Sequence, residues 1–161
     1  MRHIFPLVTE TSKIRGIIGI IKQNGGSMEL SSLAEEAEEH IDDLMPLVEA
    51  SKLLGLATVE ESVIKLTPLG DSLNLSNSLK LIREKLVEME PFFSAIEILN
   101  KKSMSTDDLF ENLRERGIAL HGDKEANEIL MKKMLMRLGV RTKIVYYDPD
   151  RDMWSSKPFK K

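Results

Sequence analysis

Cysteine is absent from this sequence of 161 residues, and aromatic residues account for only 5% of it. The lack of cysteine excludes disulfide bonds, zinc sites with thiolate ligands and catalysis by a thiol. With so few aromatic side chains, the core must be built mainly from leucine, isoleucine, valine and the nine methionines. No apolar run approaches the roughly twenty residues that a membrane-spanning helix needs, and the N-terminal apolar stretch is too short for a signal peptide. We therefore expect a cytoplasmic protein.

The composition, with 42% apolar and 30% charged residues, is typical of a globular protein. Its length suits one ordinary domain or two small ones. The net charge of −3 is unevenly distributed, because residues 1–90 hold 9 basic and 15 acidic residues and residues 91–161 hold 14 basic and 11 acidic ones. The resulting charges of −6 and +3 indicate two modules with different surfaces, or else the solvated faces of two ordinary domains.

Residues 25–70 have the clearest pattern in the chain. Two helical segments are followed by β-prone runs at residues 56–59 and 63–66, and Gly55 stands where the second helix should end in the left-handed conformation. The inner face of that helix has apolar or small residues at helical spacing, namely Leu44, Leu47, Val48, Ser51 and Leu54. A helix-turn-helix followed by a β-hairpin predicts a winged helix.

The second half of the chain repeats this order of elements less clearly. Helices are predicted at residues 91–100, immediately before Gly117, and at residues 125–138, and β-like runs follow. We therefore predict a mainly α fold with short β-hairpins, in the α+β class, arranged as tandem winged helices. The predicted boundaries are residues 1–74 for an N-terminal winged-helix domain, 75–90 for a long linking helix and 91–161 for a C-terminal winged-helix-like domain.

The first predicted helix, residues 11–24, has two glycines in its interior, Gly16 and Gly19. Each glycine costs about 1 kcal/mol of helix stability relative to alanine. We therefore expect another helix to approach this one closely at the glycines.

The predicted linking helix has apolar residues spaced alternately four and three apart, which is the pattern of a coiled-coil seam. These residues are Leu75, Leu79, Ile82, Leu86 and Met89. Two interpretations stay open: the helix packs against its own domain, or it forms a seam with a partner helix or with a second copy of the chain.

The third helix of the first module occupies the position of a DNA-recognition helix, but its outward face is acidic. It carries Asp42, Asp43 and Glu49 against a single basic residue, Lys52. Recognition helices that read DNA present cations and amides to phosphates and base edges. The acidic helix face therefore predicts either a solvated surface or a protein-contact surface, and it disfavours DNA binding by this helix.

Basic residues gather instead on the last helix and hairpin of the second half. They are Lys124, Lys132, Lys133, Arg137, Arg141 and Lys143. This set is the candidate nucleic-acid face of the protein, if it has one.

No motif for catalysis or cofactor binding occurs in the sequence. It has neither a Walker-A phosphate loop nor a nucleophile elbow, and its three histidines are far apart. Asp148, Asp150 and Asp152 alternate around a turn but lack the glycine and the distal glutamate of a calcium-binding loop. We therefore predict no metal site, no cofactor and no enzymatic activity.

Five short motifs carry a resemblance to a known family. They are Gly25-Gly26, Ile41-Asp42-Asp43-Leu44, Pro46-Leu47-Val48-Glu49-Ala50, Leu54-Gly55 and Leu66-Thr67-Pro68. In these motifs the chain resembles the C-terminal AAA-associated domain family, over roughly residues 8–155. The family is similar to a tail found behind the ATP-binding cassette of some nitrate/sulfonate-type ABC transporter ATPases, and it also occurs as free-standing chains. The resemblance implies association with such an ATPase and brings no catalytic residues.

Two functions are favoured by these patterns, and a third, small-molecule sensing between the two domains, stays open without support from particular residues. The leading hypothesis is a non-enzymatic tandem winged-helix module for protein interaction and regulation, associated with an ABC-type transporter ATPase and held at the membrane periphery through it. The alternative hypothesis is a DNA-binding transcriptional regulator that acts through its C-terminal domain. For the leading hypothesis we expect a protein partner and weak or no DNA binding. The seam would contact either this partner or a second copy of the chain in a homodimer.

Overall fold

The computed structural model describes residues 2–160, which form eight α-helices, one π-helical turn and five short β-strands. The fold therefore combines helix and sheet in the α+β manner, as predicted. Two compact units are present: an N-terminal unit, residues 10–81, and a C-terminal unit, residues 2–9 together with 82–160. The segment 75–90, predicted to link two domains, contains the point where one unit gives way to the other.

The N-terminal unit begins with three helices and a strand, α1 (Thr11–Gln23), β1 (Ser27–Glu29), α2 (Leu30–Ala37) and α3 (Ile41–Leu53). It continues with β2 (Ala57–Glu60), β3 (Val63–Leu66) and the short helix α4 (Pro68–Ser72). The three strands form an antiparallel sheet in the order β1-β3-β2. The predicted hairpin is thus confirmed, and β1 is an additional strand that the sequence pattern did not indicate.

Helix α3 ends as its sequence predicts. Gly55 has φ +75°, in the left-handed region that glycine adopts without strain. The Gly55 N–H donates to the Lys52 carbonyl at 3.0 Å, and the Leu56 N–H donates to the Ser51 carbonyl at 2.9 Å. These paired bonds satisfy carbonyls at the helix end and direct the chain into β2.

Among the residues that the structure describes, no other helix packs closely against the two glycines of helix α1. A β-carbon built on Gly16 or on Gly19 would meet no atom within 4 Å. The prediction of a helix packed against these glycines is therefore wrong within the chain. The packing side of α1 is formed instead by Ile14, Ile17 and Ile21, which are buried.

The helix predicted over residues 75–90 is shorter than expected. Helix α5 covers only Ser78–Leu86. Before it, the Asn74 carboxamide oxygen accepts hydrogen bonds from the N–H groups of Ser76 and Asn77, at 2.9 and 3.0 Å. Asparagine forms such turns in preference to helix interior, so the helix cannot begin at Leu75.

The helices of the C-terminal unit that follow α5 are α6 (Phe92–Lys101), α7 (Thr106–Glu115) and α8 (Lys124–Met134). Helix α8 continues into a π-helical turn (Leu135–Val140), and the antiparallel strands β4 (Tyr146–Asp148) and β5 (Met153–Ser155) follow. Met104 forms an isolated antiparallel β-bridge with Trp154 of β5. The hairpin is thus tied to the start of α7.

Residues 2–9 belong to the C-terminal unit through backbone pairing with Glu90. The Phe5 N–H donates to the Glu90 carbonyl at 2.9 Å, and the Glu90 N–H donates to the His3 carbonyl at 2.8 Å. The buried Glu90 carboxylate also accepts a hydrogen bond from the Ser94 N–H at 2.8 Å, which satisfies a free donor in the first turn of α6.

No helix within residues 2–160 has the length and apolar character that crossing a membrane requires.

Candidate functional site

Helix α3 exposes two large apolar side chains beside its acidic residues. Ile41 is 47% exposed and Met45 is 41% exposed. Because they are four residues apart, they lie one helical turn from each other on the same side, and Glu49 lies one turn further along. Asp42 and Asp43 are exposed in the first turn. We call the five exposed residues Ile41, Asp42, Asp43, Met45 and Glu49 the α3 face, although Asp43 lies about 200° around the helix from Ile41.

The chain segment that contains α3 is rich in carboxylates, although Lys13 lies 3.9 Å from one of them, Glu39. Lys52 lies 3.4 Å from the Glu49 carboxylate and partly neutralises it. Between Gln23 and Ser51, however, the sequence has no lysine or arginine and has eight carboxylates, namely Glu29, Glu35, Glu36, Glu38, Glu39, Asp42, Asp43 and Glu49. The α3 face therefore combines apolar contact area with a negative surround.

The adjoining side of α3 is buried in the core, and this determines which residues the helix leaves exposed. Leu44, Leu47, Val48 and Ser51 are buried, and the Ser51 hydroxyl donates to the Leu47 carbonyl at 2.8 Å within the helix. This buried side is the one that the apolar spacing predicts. The exposure of Ile41 and Met45 was missed at the sequence level, because Ile41 lies three residues before Leu44 and seven before Val48, at the spacing of the buried stripe.

The coiled-coil pattern predicted for residues 75–89 is divided between surface and core. Leu75 lies in the turn before α5 and is 75% exposed, and Leu79 is partly exposed. Ile82, Leu86 and Met89 are buried, with Ile82 only 1% exposed. Three of the five seam residues are therefore inaccessible to a partner in the folded chain.

The basic residues predicted as a nucleic-acid face are all exposed, but acidic groups accompany them. Lys124, Lys132 and Lys133 share helix α8 with Glu125 and Glu128. The other three basic residues, Arg137, Arg141 and Lys143, follow that helix. The Glu128 carboxylate lies 3.8 Å from Arg114. The field of Lys132 contributes to lowering the pKa of the Asp152 carboxyl. The positive potential of this face is therefore diluted.

A polar network joins the C-terminal hairpin to helix α7. The Thr106 hydroxyl donates to the Asp152 carboxylate at 2.5 Å and accepts a hydrogen bond from the indole N–H of Trp154 at 2.8 Å. The Tyr147 hydroxyl donates to the same Asp152 oxygen at 2.9 Å. Trp154 is fully buried. Asp152 therefore serves the packing of this unit.

The network shifts the pKa values of its acidic groups in opposite directions. The hydrogen bond from Thr106 lowers the pKa of the Asp152 carboxyl, because it favours the ionised form. The hydrogen bond to Asp152 raises the pKa of the Tyr147 hydroxyl, because the neutral phenol is the donor. In the same loop, Arg151 lowers the pKa of the Asp148 carboxyl through a 2.7 Å contact.

A cleft lies between α7 and α8, with a volume of about 330 Å³. Phe110 and Ile129 supply its apolar wall, and Asp107, Glu125 and Lys132 are among the charged residues around it. Ile129 is 61% exposed. The cleft is open and carries charges of both signs, so it does not define the chemistry of a ligand.

Within the part of the chain that the structure describes, no group of three or more histidine, aspartate or glutamate side chains is placed to hold a metal ion. Asp148 and Asp152 are instead engaged by Arg151 and Thr106 respectively.

A family model described as the C-terminal AAA-associated domain matches residues 31–148. The match covers α2, α3 and the first hairpin, and extends through α8 to the end of β4. It confirms the resemblance seen in the sequence motifs. Searches of curated proteins and of solved structures gave no match.

Proposed function

The chain belongs to the C-terminal AAA-associated domain family, and we propose that it is a non-enzymatic module that binds and regulates an ABC-type transporter ATPase. Family membership is the observation that carries this proposal, because the family is named for its association with AAA proteins. Binding to a transporter ATPase would hold the chain at the periphery of a membrane. The ATP chemistry would belong to the partner, since this sequence has no Walker-A loop.

The proposed architecture is a pair of winged helices. In the N-terminal unit the order is α1, β1, α2, α3 and then the β2–β3 hairpin. In the C-terminal unit it is α6, the Met104 bridge, α7, α8 and then the β4–β5 hairpin. Helix, bridging strand, two helices and a hairpin thus recur in the same sequence order. Helix α5, which contains the transition between the units, would be the linking helix.

The third helices of the two units support this comparison in detail. Each has three buried positions spaced four and then three residues apart, Leu44, Val48 and Ser51 in α3 and Asn127, Met131 and Met134 in α8. A single extra residue in the π-helical turn after α8 then aligns Leu138-Gly139 with Leu54-Gly55 in sequence, although Gly139 lies inside that turn and Gly55 follows the end of α3.

Protein binding is favoured over DNA binding by the character of the α3 face. In a winged helix that reads DNA, the third helix brings cations to the phosphates. Here that position presents Ile41 and Met45 among carboxylates. Acidic side chains would be repelled by the DNA backbone, whereas exposed apolar side chains are suited to a protein surface.

The second candidate function is DNA binding through the C-terminal unit, as in a transcriptional regulator. The exposure of all six basic residues predicted for this face favours it. The neighbouring Glu125 and Glu128 oppose it. We therefore place it second and expect DNA association to be weak.

A homodimer through the α5 seam has limited support. Leu75 is the seam residue with the largest exposure, and it lies outside the helix. A dimer would have to use Leu75 and the accessible part of Leu79, without Ile82, Leu86 or Met89.

The proposal is tested with the purified chain and the ABC-type ATPase encoded nearest to its gene. We expect a complex in size-exclusion chromatography, a change in the ATPase rate of the partner, and no hydrolysis by the chain alone. ATP hydrolysis by the chain alone would contradict the non-enzymatic assignment, and micromolar ATP binding would contradict the expected absence of a nucleotide site. Nanomolar, sequence-selective DNA binding at physiological salt would establish the regulator function instead.

A further inference from the structure

We propose that the α3 face is a docking surface for a basic amphipathic segment of the protein partner, a helix or extended strand with apolar side chains flanked by lysine or arginine. This inference rests on the proposed function, because it names the chemistry of the partner surface that the module would bind.

The apolar part of the α3 face is about half accessible to solvent. The core is served mainly by the adjoining side of α3, where Leu44, Leu47 and Val48 are buried. Ile41 and Met45 leave 47% and 41% of their side-chain surface in solvent, one turn apart. These two adjacent side chains supply apolar contact area for a partner, and the flexible thioether of methionine adapts to varied partners.

The charges around these two residues select the occupant. Asp42 and Asp43 lie in the first turn and Glu49 follows two turns later, with Lys52 as the basic residue of the helix. A partner segment with basic residues on either side of an apolar strip would complement this arrangement, whereas an acidic segment would be repelled. Anionic membrane lipid is disfavoured as an occupant for the same reason.

A second copy of the chain is the less favoured occupant. The N-terminal unit has six basic and twelve acidic residues and a net charge of −6. The rest of the chain has seventeen basic and fourteen acidic residues and a net charge of +3. Lys124 and the pair Lys132 and Lys133 are separated along α8 by Glu125 and Glu128, so this helix does not form the continuous basic border that the α3 face would require.

The test measures fluorescence anisotropy of a labelled helical probe of about 18 residues, with leucine on one face and lysine on both flanks, titrated with the full chain. A matched probe with glutamate in place of lysine controls for charge. The apolar variant is Ile41→Ser with Met45→Ser. The charge variant is Asp42→Asn, Asp43→Asn and Glu49→Gln. The control is Ile129→Ser, which removes a more exposed apolar side chain from the other unit.

We expect the lysine probe to bind, the glutamate probe not to bind, and both α3 variants to weaken binding about fivefold or more while Ile129→Ser leaves it unchanged. Circular dichroism verifies that each variant is folded. Absence of lysine-probe binding, equal affinities of all variants, or equal loss in Ile129→Ser would overturn the inference. So would a dimer in sedimentation velocity that Ile41→Ser with Met45→Ser dissolves, because it would assign the face to a second copy.

The two proposals fail in different ways. If the ATPase does not bind but the probe binds through the α3 face, the proposed function is wrong and the docking surface stands. If the ATPase binds equally well to the α3 variants, the function stands and the docking surface is wrong.

Discussion

Gly70 lies against the carbonyl group of Leu56 so closely that a β-carbon at position 70 would stand 2.0 Å from the Leu56 oxygen. The same carbonyl accepts a hydrogen bond from the Thr67 N–H at 3.0 Å. The Thr67 hydroxyl donates to the Gly55 carbonyl at 2.6 Å and accepts from the Gly70 N–H at 3.0 Å. Helix α4 is thereby fixed to the segment that follows α3, which explains the Leu54-Gly55 and Leu66-Thr67-Pro68 motifs in physical terms.

The first prediction concerns this contact. Gly70→Ala should destabilise the N-terminal unit by about 2 kcal/mol or more, because backbone atoms must move to admit the methyl group. Gly16→Ala is the matched control, since a β-carbon there meets no atom within 4 Å, and it should stabilise the helix by about 0.5–1 kcal/mol. Urea unfolding followed by far-ultraviolet circular dichroism measures both. A Gly70→Ala protein as stable as the parent chain would show that the contact relaxes without cost.

The second prediction concerns acid stability of the C-terminal unit. The pKa of Asp152 is lower in the folded chain than in the unfolded chain because Thr106 donates to its carboxylate. The stabilisation is therefore complete above about pH 4, the unfolded pKa, and is lost as the pH falls through the folded pKa. Asp152→Asn should reduce stability at pH 7 and flatten its dependence on pH below 4.

Trp154 is the single tryptophan and lies in this network, so its fluorescence during urea unfolding reports on the unit directly. Asp150→Asn, an exposed change in the same loop, is the control and should leave the profile unchanged. An acid profile of Asp152→Asn parallel to that of the parent chain would contradict the assignment.

The third prediction concerns alkaline pH. The pKa of Tyr147 is raised because its hydroxyl donates to Asp152. This contribution is complete below the unfolded pKa of about 10 and is lost as the pH rises through the folded pKa. Tyr147→Phe should therefore lose less stability than the parent chain as the pH rises above about 10. An unchanged alkaline profile in the Trp154 fluorescence assay would disprove the role of this hydrogen bond.

The fourth prediction separates core from seam along α5. Ile82→Asp should unfold the C-terminal unit, because it places a carboxylate in a site with only 1% exposure. Leu75→Asp should leave stability nearly unchanged, since this side chain is 75% exposed. Trp154 fluorescence measures folding and light scattering measures mass. A folded Ile82→Asp protein of altered oligomeric mass would restore the seam interpretation.

The fifth prediction concerns nucleic acid. Contacts with four to six phosphates through the basic face would give a slope of roughly −4 to −5 in a plot of log affinity against log salt. We expect weak binding without sequence preference at low salt and none at physiological salt. Charge reversal at Lys132, Lys133 and Arg137 should abolish the low-salt binding, as measured by fluorescence anisotropy with duplex DNA. Binding that survives the reversal would place the DNA contact elsewhere.

Local chemistry explains why much of the fold was predictable. The buried stripe of α3, the left-handed Gly55 and the hairpin that ends at Leu66 all follow from helical spacing, turn residues and β propensity. Each signal lies within a few residues of the element that it specifies. The family resemblance came from the same region, because the motifs around Gly55 and Thr67 encode one compact contact.

The sequence by itself thus determined most of the helices, the two hairpins, the family and the acidic character of α3. Only the tertiary structure decided that Ile82 is core and Leu75 surface, that Thr106 and Asp152 are partners across 46 positions, and that His3 pairs with Glu90. A heptad spacing is the same whether its residues face a partner or their own core, and a hydrogen bond between distant residues leaves no local periodicity. Such choices depend on which surfaces meet when the chain folds, and this information lies in the packing of the whole chain rather than in any one segment.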